Sequence, residues 1–289
     1  MQGALMSKEA EVFSGGVAVI TGAGAGIGSG LARRAGELGM TVVVTDVRGE
    51  RAEAVADEIR ARGGAAEALA VDVSRPAELD RLARQVFERH GEVRLLVNNA
   101  GIETLGLTWE IPAERWEATL NTNIHGVVHG VRAFVPHMLK AGKEAWIANL
   151  ASIGAFGTMP TQTAYIMTKH AVQAFSECLY LEMEAAGAPI HVSSVIPGML
   201  KTSIFDAEAG GGEPAGARQH RKIMHDLMAA HGLDLAEGCR RIMAKIAAGE
   251  FWADTQPEMT EQSVAGRIEF LRSRRAPVLA AQARELLGG

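Results

Sequence analysis

Short apolar runs recur along the chain, with helix-patterned stretches between them. Residues 17–20, 41–45, 68–71, 95–97, 146–150 and 191–196 are mostly apolar throughout rather than alternating with polar positions. Strands buried on both faces have this pattern, because helices cover a parallel sheet from either side. Between the runs the period changes: Leu79, Leu82, Val86 and Phe87 fall at i, i+3, i+7 and i+8, and Trp116, Leu120, Val127, Val131, Phe134 and Met138 carry a similar stripe over a longer segment. Each stripe gives a helix one apolar face to lay on the sheet. The alternation up to about residue 196 predicts an α/β fold. It is a single Rossmann-type, doubly wound parallel sheet with helices on both faces and right-handed crossovers, and its ligands sit at the carboxyl ends of the strands.

No linker divides the first 200 residues, and no internal repeat is visible. The pattern gives an N-terminal extension at 1–12, the α/β domain at 13–255 and a C-terminal arm of the same domain at 256–289. The one break in composition is at 209–216, Ala-Gly-Gly-Gly-Glu-Pro-Ala-Gly, which has nothing to bury and reads as a mobile loop. Helical patterning returns over 217–248, residues 251–253 suit a last strand, and 278–287 suit a final helix. The stretch 199–235 is thus expected to be a substrate loop and lid.

Composition narrows the class. With 289 residues, 47% hydrophobic and 22% charged, the chain is globular, and collagen-like, mucin-like and wholly disordered classes are excluded. Cys178 and Cys239 are too few and too far apart for a disulfide framework, and no C-x-x-C is present, so a reducing cytoplasm is the default. The net charge of −5 argues against nucleic acid as a partner. Two basic clusters, Arg218, Arg221 and Lys222 and then Arg272, Arg274 and Arg275, read as solvated helix faces. Residues 1–13 lack the apolar run of a signal peptide, and no stretch approaches the ~18 apolar residues of a membrane span, so no membrane partner is expected. Glycine stands out, at 33 residues.

Much of that glycine follows the first strand, in Thr21-Gly22-Ala23-Gly24-Ala25-Gly26-Ile27-Gly28-Ser29-Gly30. A strand, a glycine turn and a helix N-terminus together aim backbone N–H groups at one point, where a pyrophosphate is favoured. The spacing is T-G-x-x-x-G-x-G, on Gly22, Gly26 and Gly28, and G-x-G-x-x-G occurs in no register. A glycine turn alone is equally a flexible loop. Eighteen residues after Gly28 the second strand ends at Asp46, near the offset at which a carboxylate bonds an adenosine ribose 2′-OH. That carboxylate repels a 2′-phosphate, and no basic side chain stands at Ala23, Gly24, Ala25 or Val47, which favours NAD over NADP. Arg48 is the nearby exception, and Asp46 as a plain helix cap fits the same position.

Tyr165 and Lys169 lie four apart in a segment whose Val172, Phe175, Leu179 and Met183 keep helical spacing, so both emerge on one face. A neighbouring ammonium favours the phenolate and lowers the phenol pKa from near 10, which turns Tyr165 into a usable general acid/base. Y-x-x-x-K by itself is equally an ordinary surface pair. Ser152 shifts that balance, because it follows a strand end where its hydroxyl can hold a substrate oxygen beside the phenol. Asn98-Asn99-Ala100-Gly101 ends the fourth strand in the same way, and Asn123 sits inside a long helix, where an Asn has either a solvent position or a buried hydrogen-bonding task.

Taken in order, Thr21 to Gly28, Asp72-Val73, Asn98 to Gly101, Asn123, Ser152, Tyr165-Ile-Met-Thr-Lys169 and Pro197-Gly198 with Thr202 resemble the short-chain dehydrogenase/reductase family over about residues 13–205. The resemblance implies that Tyr165 exchanges the proton of a carbinol or carbonyl while hydride moves to or from nicotinamide C4, and that Ser152 positions that oxygen. It implies that Lys169 holds the nicotinamide ribose and depresses the Tyr165 pKa, and that Asn123 fixes a relay water. Gly22, Gly26, Ile27 and Gly28 would meet the pyrophosphate, Asp46 the ribose and Asp72 and Val73 the adenine. Asn99 and Gly101 would line the cleft, with Ile196, Pro197 and Thr202 at the nicotinamide. Thr168 departs from a common Ser. The segments 116–138 and 165–181 are similar to a bacterial subgroup acting on aryl and other bulky secondary alcohols, including benzylic Cα-dehydrogenases. A homotetramer or homodimer through the long helices is also implied.

Phe156, Met159, Met199 and Phe205 suggest an apolar substrate pocket, although apolar residues there equally suit a core. His125 and His129 have i, i+4 spacing but neither the Glu of H-E-x-x-H nor a third ligand, so no metal is expected. Glu103 suits a second cleft carboxylate or a surface position. Ser152 lacks the G-x-S-x-G surroundings of a hydrolase nucleophile. Two alternatives to an NAD-dependent alcohol dehydrogenase stay open. One is an NADPH-dependent 3-oxoacyl ketoreductase whose Arg218, Arg221 and Lys222 meet an anionic carrier, and the other is a non-catalytic NAD-binding protein.

Overall fold

The computed structural model describes residues 7–206 and 214–279. Seven parallel strands, β1 (Val17–Ile20), β2 (Thr41–Asp46), β3 (Ala65–Ala70), β4 (Leu95–Asn98), β5 (Ala145–Leu150), β6 (Ile190–Ile196) and β7 (Trp252–Asp254), lie in the order β3-β2-β1-β4-β5-β6-β7. The order reverses between β1 and β4, so the loops leaving these two strands diverge and open a crevice at their carboxyl ends.

The strand runs are apolar throughout because each feeds two cores. Ala18, Ile20, Val42 and Val44 pack with α2 (Gly26–Glu37), α3 (Gly49–Ala61) and α9 (Leu235–Ala247), through Leu31, Val55, Ile242 and Met243. Val17, Val19 and Val43 face the opposite layer, where α4 (Pro76–His90), α6 (Gly126–Ala141) and α7 (Thr163–Ala185) bring Leu79, Val86, Phe134, Met138 and Leu179. The period-2 alternation of a strand thus serves two apolar surfaces.

Part of the N-terminal segment is helical. α1 (Lys8–Phe13) ends on Phe13, which is fully buried and meets Trp146 edge-on at 5.6 Å, and Glu9 pairs with Arg34 at 3.0 Å. The strand expected at 68–71 begins earlier, at Ala65. It is an edge strand of sequence AAEALA, too poor in large apolar side chains to mark its own start. The helical pattern of 217–248 is two helices, α8 (Ala215–His231) and α9, separated at Gly232 and Leu233, with Asp234 capping α9 through Ala236 N (2.9 Å). The arm contains α10 (Pro257–Ser273), of which Thr260 alone is buried among the helix residues. Most of the glycine loop at 209–216, and residues 280–287 of the expected final helix, lie outside the described residues. Cys178 and Cys239 are free thiols, and among the described residues no helix is long and apolar enough to cross a membrane.

Candidate active site

A cavity of about 480 Å³ occupies the crevice at the switch point. Its far end is built by the turn after β1. Gly22 and Gly26 have φ of +60° and +53°, which side-chain-bearing residues rarely adopt, and a Cβ on Gly22 would stand 2.7 Å from Ala100 Cα. Gly28 lies beneath the turn: its Cβ would meet the Gly22 carbonyl oxygen and Asn99 Nδ2, each at 2.4 Å. Asn99 is thereby explained, since its Nδ2 donates to the Thr21 and Gly22 carbonyls (2.8 and 3.0 Å) and clamps the turn. Gly22, Gly26 and Ile27 line the cavity, whereas Gly28 holds its floor. The helix α2 that follows presents an N-terminus with no side-chain cap.

At the outer edge, Asp46 accepts from Gly24 N and Arg48 N, both at 3.0 Å, so its carboxylate is fixed at the rim. Arg48 and also Arg51 line the same end, and Arg51 was not singled out by the sequence because it belongs to α3. Asp72 and Val73, from the loop after β3, form the adjoining wall. Asp72 accepts from Ser74 N and Oγ (3.0 and 2.6 Å).

At the inner end, Ser152 follows β5 and Tyr165 and Lys169 sit on the first turns of α7, all lining the cavity with Gly101, Pro197 and Thr202. Ser152 Oγ accepts from Gly154 N (3.1 Å), and Ser152 and Tyr165 line the same end of the cavity. Lys169 Nζ donates to the Leu150 carbonyl (2.7 Å) and lies 5.4 Å from the Tyr165 ring centroid. Desolvation pushes the Lys169 pKa down to about 8, against the pull of the Glu103 carboxylate. The expected depression of the Tyr165 pKa is not found in the chain by itself. Burial pushes the phenol above its ordinary value, Glu103 pushes it further, and only the Ser152 hydroxyl opposes them.

Asn123 does not face the cavity. The long helix expected through it is interrupted: α5 (Ala113–Leu120) leads into a π-helical turn, Asn121–His125, before α6. The turn aims a fully buried Asn123 at the loop after β4, where Oδ1 accepts from Ile102 N (2.8 Å) and Nδ2 donates to the Ile102 carbonyl (2.9 Å) and to Thr168 Oγ1 (3.1 Å). Thr168 donates in turn to the Tyr165 carbonyl (2.7 Å), so the departure from Ser keeps the hydroxyl in use.

Met199 and Phe205 line the substrate side, with Ile204, Met224 and Met228. Phe156 and Met159 do not line the cavity; Phe156 stacks on Trp252 at 5.2 Å. Glu103 is buried at 7% exposure and lines the cavity, which removes the surface reading. Arg221 is buried too, so only Arg218 and Lys222 of that cluster are exposed, Lys222 pairing with Asp226 at 2.6 Å. His125 Nδ1 bonds Asn121 Oδ1 (2.9 Å), and among the described residues no group of side chains suited to a metal ion occurs.

Comparison with known proteins bears on this geometry. Residues 16–210 match the model of the short chain dehydrogenase family. The probable oxidoreductase EphD of Mycobacterium tuberculosis is 36% identical over 185 residues, which are 64% of this chain and 31% of that protein, so the match spans about a third of its length. The 1-deoxy-11-beta-hydroxypentalenate dehydrogenase of Streptomyces avermitilis is 34% identical over 187 residues, 64% of this chain and 68% of the relative. A short chain dehydrogenase/reductase from Burkholderia phymatum, solved in complex with NAD, superposes with a TM-score of 0.88 at 32% identity, covering 92% of this chain and 98% of the other.

Proposed function

Because the chain belongs to the short chain dehydrogenase family, we propose that it interconverts a bulky, apolar secondary alcohol and its ketone with NAD, using Tyr165 as general acid/base. The observation that carries this reading is the convergence of Ser152, Tyr165 and Lys169 at one end of a cavity whose other end is a glycine turn with a carboxylate at its rim. The residues fit a dinucleotide. The turn leaves no room for a Cβ at Gly22 or Gly28, the α2 N-terminus suits a pyrophosphate, and Asp46 is fixed where a ribose diol needs an acceptor. Gly26, Ile27, Asp72, Val73, Asn99, Gly101, Pro197 and Thr202 complete that binding surface by lining it or holding its backbone.

Bound there, the nicotinamide supplies the hydride acceptor for oxidation or the donor for reduction. The chain's residues handle the proton. Ser152 has its oxygen engaged by Gly154 N–H and offers its own hydrogen to the phenol or to the substrate oxygen. Tyr165 takes the carbinol proton in one direction and returns it to the ketone in the other. Lys169 spends one of three N–H donors on Leu150 and keeps two for the cofactor ribose. Asn123 keeps the loop at Ile102 in register with them.

A second reading has its own support. Arg48 and Arg51 at the rim offer cations to a 2′-phosphate, as an NADPH-dependent ketoreductase would need. Steady-state assays on a panel of secondary alcohols with NAD and NADP, repeated with Tyr165→Phe, separate these readings. NAD is expected to give a kcat/KM at least about tenfold above NADP, with turnover falling by a factor of about 10² or more in Tyr165→Phe while NAD affinity holds. A preference for NADP overturns the Asp46 argument, and retained turnover in Tyr165→Phe overturns the mechanism.

A further inference from the structure

The peptide between Pro197 and Gly198 is held at both of its polar groups by different parts of the fold. Its carbonyl, on Pro197, accepts from Ile153 N (3.0 Å), and its N–H, on Gly198, donates to Thr255 Oγ1 (3.0 Å). A trans peptide is planar and its N–H and C=O point opposite ways, so the two bonds together fix one orientation of that plane. Pro197 and Gly198 line the inner end of the cavity, as do Ser152 and Ile153. The Ile153 N–H is the one directly after Ser152, and the next, on Gly154, donates to Ser152 Oγ (3.1 Å). A single peptide plane thus connects the wall that carries Ser152 to Thr255.

Thr255 does not itself line the cavity. It follows β7 and is fully buried, and its backbone is anchored as well as its side chain. Its N–H donates to the Ile196 carbonyl (3.3 Å) at the end of β6, and its carbonyl accepts from Arg241 Nη1 (2.9 Å), a guanidinium on α9 whose Nε bonds Glu237 Oε1 (2.7 Å). The hydroxyl is therefore a fixed acceptor. Gln256 and Met259 close over Gly198, where a Cβ would stand 2.1 Å from Gln256 Oε1 and 3.0 Å from Met259 Sδ. Without an oxygen at position 255 the Gly198 N–H faces an apolar side chain, and a buried N–H deprived of its acceptor favours any rotation of its peptide that finds another. Such a rotation takes the Pro197 carbonyl away from Ile153.

We infer that Thr255 is a positioning residue for the reaction: from outside the cavity, its hydroxyl sets the Pro197–Gly198 peptide and, through Ile153, the place of Ser152 at the nicotinamide end. The inference rests on the alcohol–ketone reading above for the reaction that it serves. Its reach is confined to one end of the crevice, because the glycine turn, Asp46 and Asp72 belong to β1, β2 and the loop after β3 and are held by bonds of their own. Placement of reacting groups is demanding, and a misplacement of about 1 Å costs on the order of 10²-fold in rate.

The test compares the wild type with Thr255→Val, which keeps the β-branched shape and loses the oxygen, and Thr255→Ser, which keeps the oxygen and loses the methyl. Turnover with NAD is measured on whichever of 1-phenylethanol and cyclohexanol the wild type oxidises faster, beside the dissociation constants of NAD and of ADP-ribose, which has no nicotinamide. Thr255→Val is expected to lower kcat by at least about tenfold and to weaken NAD by about threefold, with ADP-ribose unchanged, while Thr255→Ser stays within about threefold of the wild type throughout. A loss in kcat with NAD affinity intact places the whole effect at Ser152 and upholds the inference equally. Retained kcat in Thr255→Val overturns it, as does equal weakening of NAD and ADP-ribose, which marks a general loosening of the fold, or a Ser variant that falls as far as Val, which marks the methyl. If Thr255→Val does not fold, Thr255→Ala against Thr255→Ser isolates the hydroxyl in its place, and failure of both Val and Ala to fold makes the hydroxyl structural and overturns the inference. Formation of NADH from neither alcohol strikes the alcohol–ketone reading instead. Binding then decides Thr255 by itself: weakening of NAD alone in Thr255→Val upholds the assignment, and parallel affinities for NAD and ADP-ribose overturn it.

Discussion

At Lys169, burial and chemistry pull in opposite directions. The ammonium is 5% exposed and desolvation brings its pKa down to about 8 from 10.5. Below pH 8 both folded and unfolded chains hold the proton, and the folded chain carries the full cost of burying it. Between pH 8 and 10.5 the folded chain releases the proton while the unfolded chain retains it, so that cost disappears and stability rises with pH. Each pH interval of one contributes about 1.4 kcal/mol when the two states differ fully. Tyr165 acts with the opposite sign, but only above the unfolded phenol value near pH 10, because its folded pKa is raised. Denaturant titrations at pH 8 and 10 should therefore show the wild type gaining about 2 kcal/mol relative to Lys169→Met. A difference between the two chains that does not change with pH would mean that the ammonium is not desolvated as the structure has it.

Among the elements, the turn between β1 and α2 is the least forgiving. A Cβ on Gly28 meets a backbone carbonyl and the Asn99 amide that clamps the same turn, and neither is the end of a flexible side chain. Gly28→Ala is expected to cost about 1–3 kcal/mol through overpacking and to weaken NAD binding at least about tenfold, read by thermal unfolding and by fluorescence titration. Unchanged NAD affinity would separate this turn from the cofactor. That turn was legible in the sequence because glycine spacing reports backbone conformation directly, as were β1, β2, β4, β5 and β6, whose two-sided burial writes itself as unbroken apolar runs. β3 was displaced, since an edge strand made of alanines has no such run. The π turn at Asn121–His125 left no mark at all: one extra residue in a helix barely disturbs the apolar stripe, yet it redirects Asn123 from the helix face to Ile102. Arg221 was misplaced toward the surface, and Glu103 stayed open between cleft and surface, because charge alone does not reveal how α8 and the loop after β4 pack. Phe156, equally a pocket or a core residue by its sequence, takes the second place and stacks on Trp252.

Over the whole molecule, the cavity joins parts that the sheet otherwise holds separately. Its walls come from the ends of β1 and β2 on one side of the switch point and of β4, β5 and β6 on the other, with α7 and α8 above the inner end. The two halves share the sheet, but the layers against it are distinct apolar clusters. A dinucleotide laid along the crevice touches the glycine turn at one end and the Tyr165–Lys169 pair at the other, so unfolding any of these elements releases it. Binding to the folded state alone stabilises it by about 2.7 kcal/mol at a free ligand concentration of 100 Kd. For a chain of this size each kcal/mol moves the unfolding midpoint by about 2–4 °C. Saturating NAD is therefore expected to raise Tm by about 5 °C or more, with NADP giving a smaller rise at equal concentration because the Asp46 carboxylate opposes a 2′-phosphate. The wild type and Gly28→Ala, scanned by calorimetry with each nucleotide, provide the check. Equal shifts with NAD and NADP would mean that Arg48 and Arg51 outweigh Asp46 at the rim, and no shift with either would mean that the crevice is not where this fold takes its cofactor.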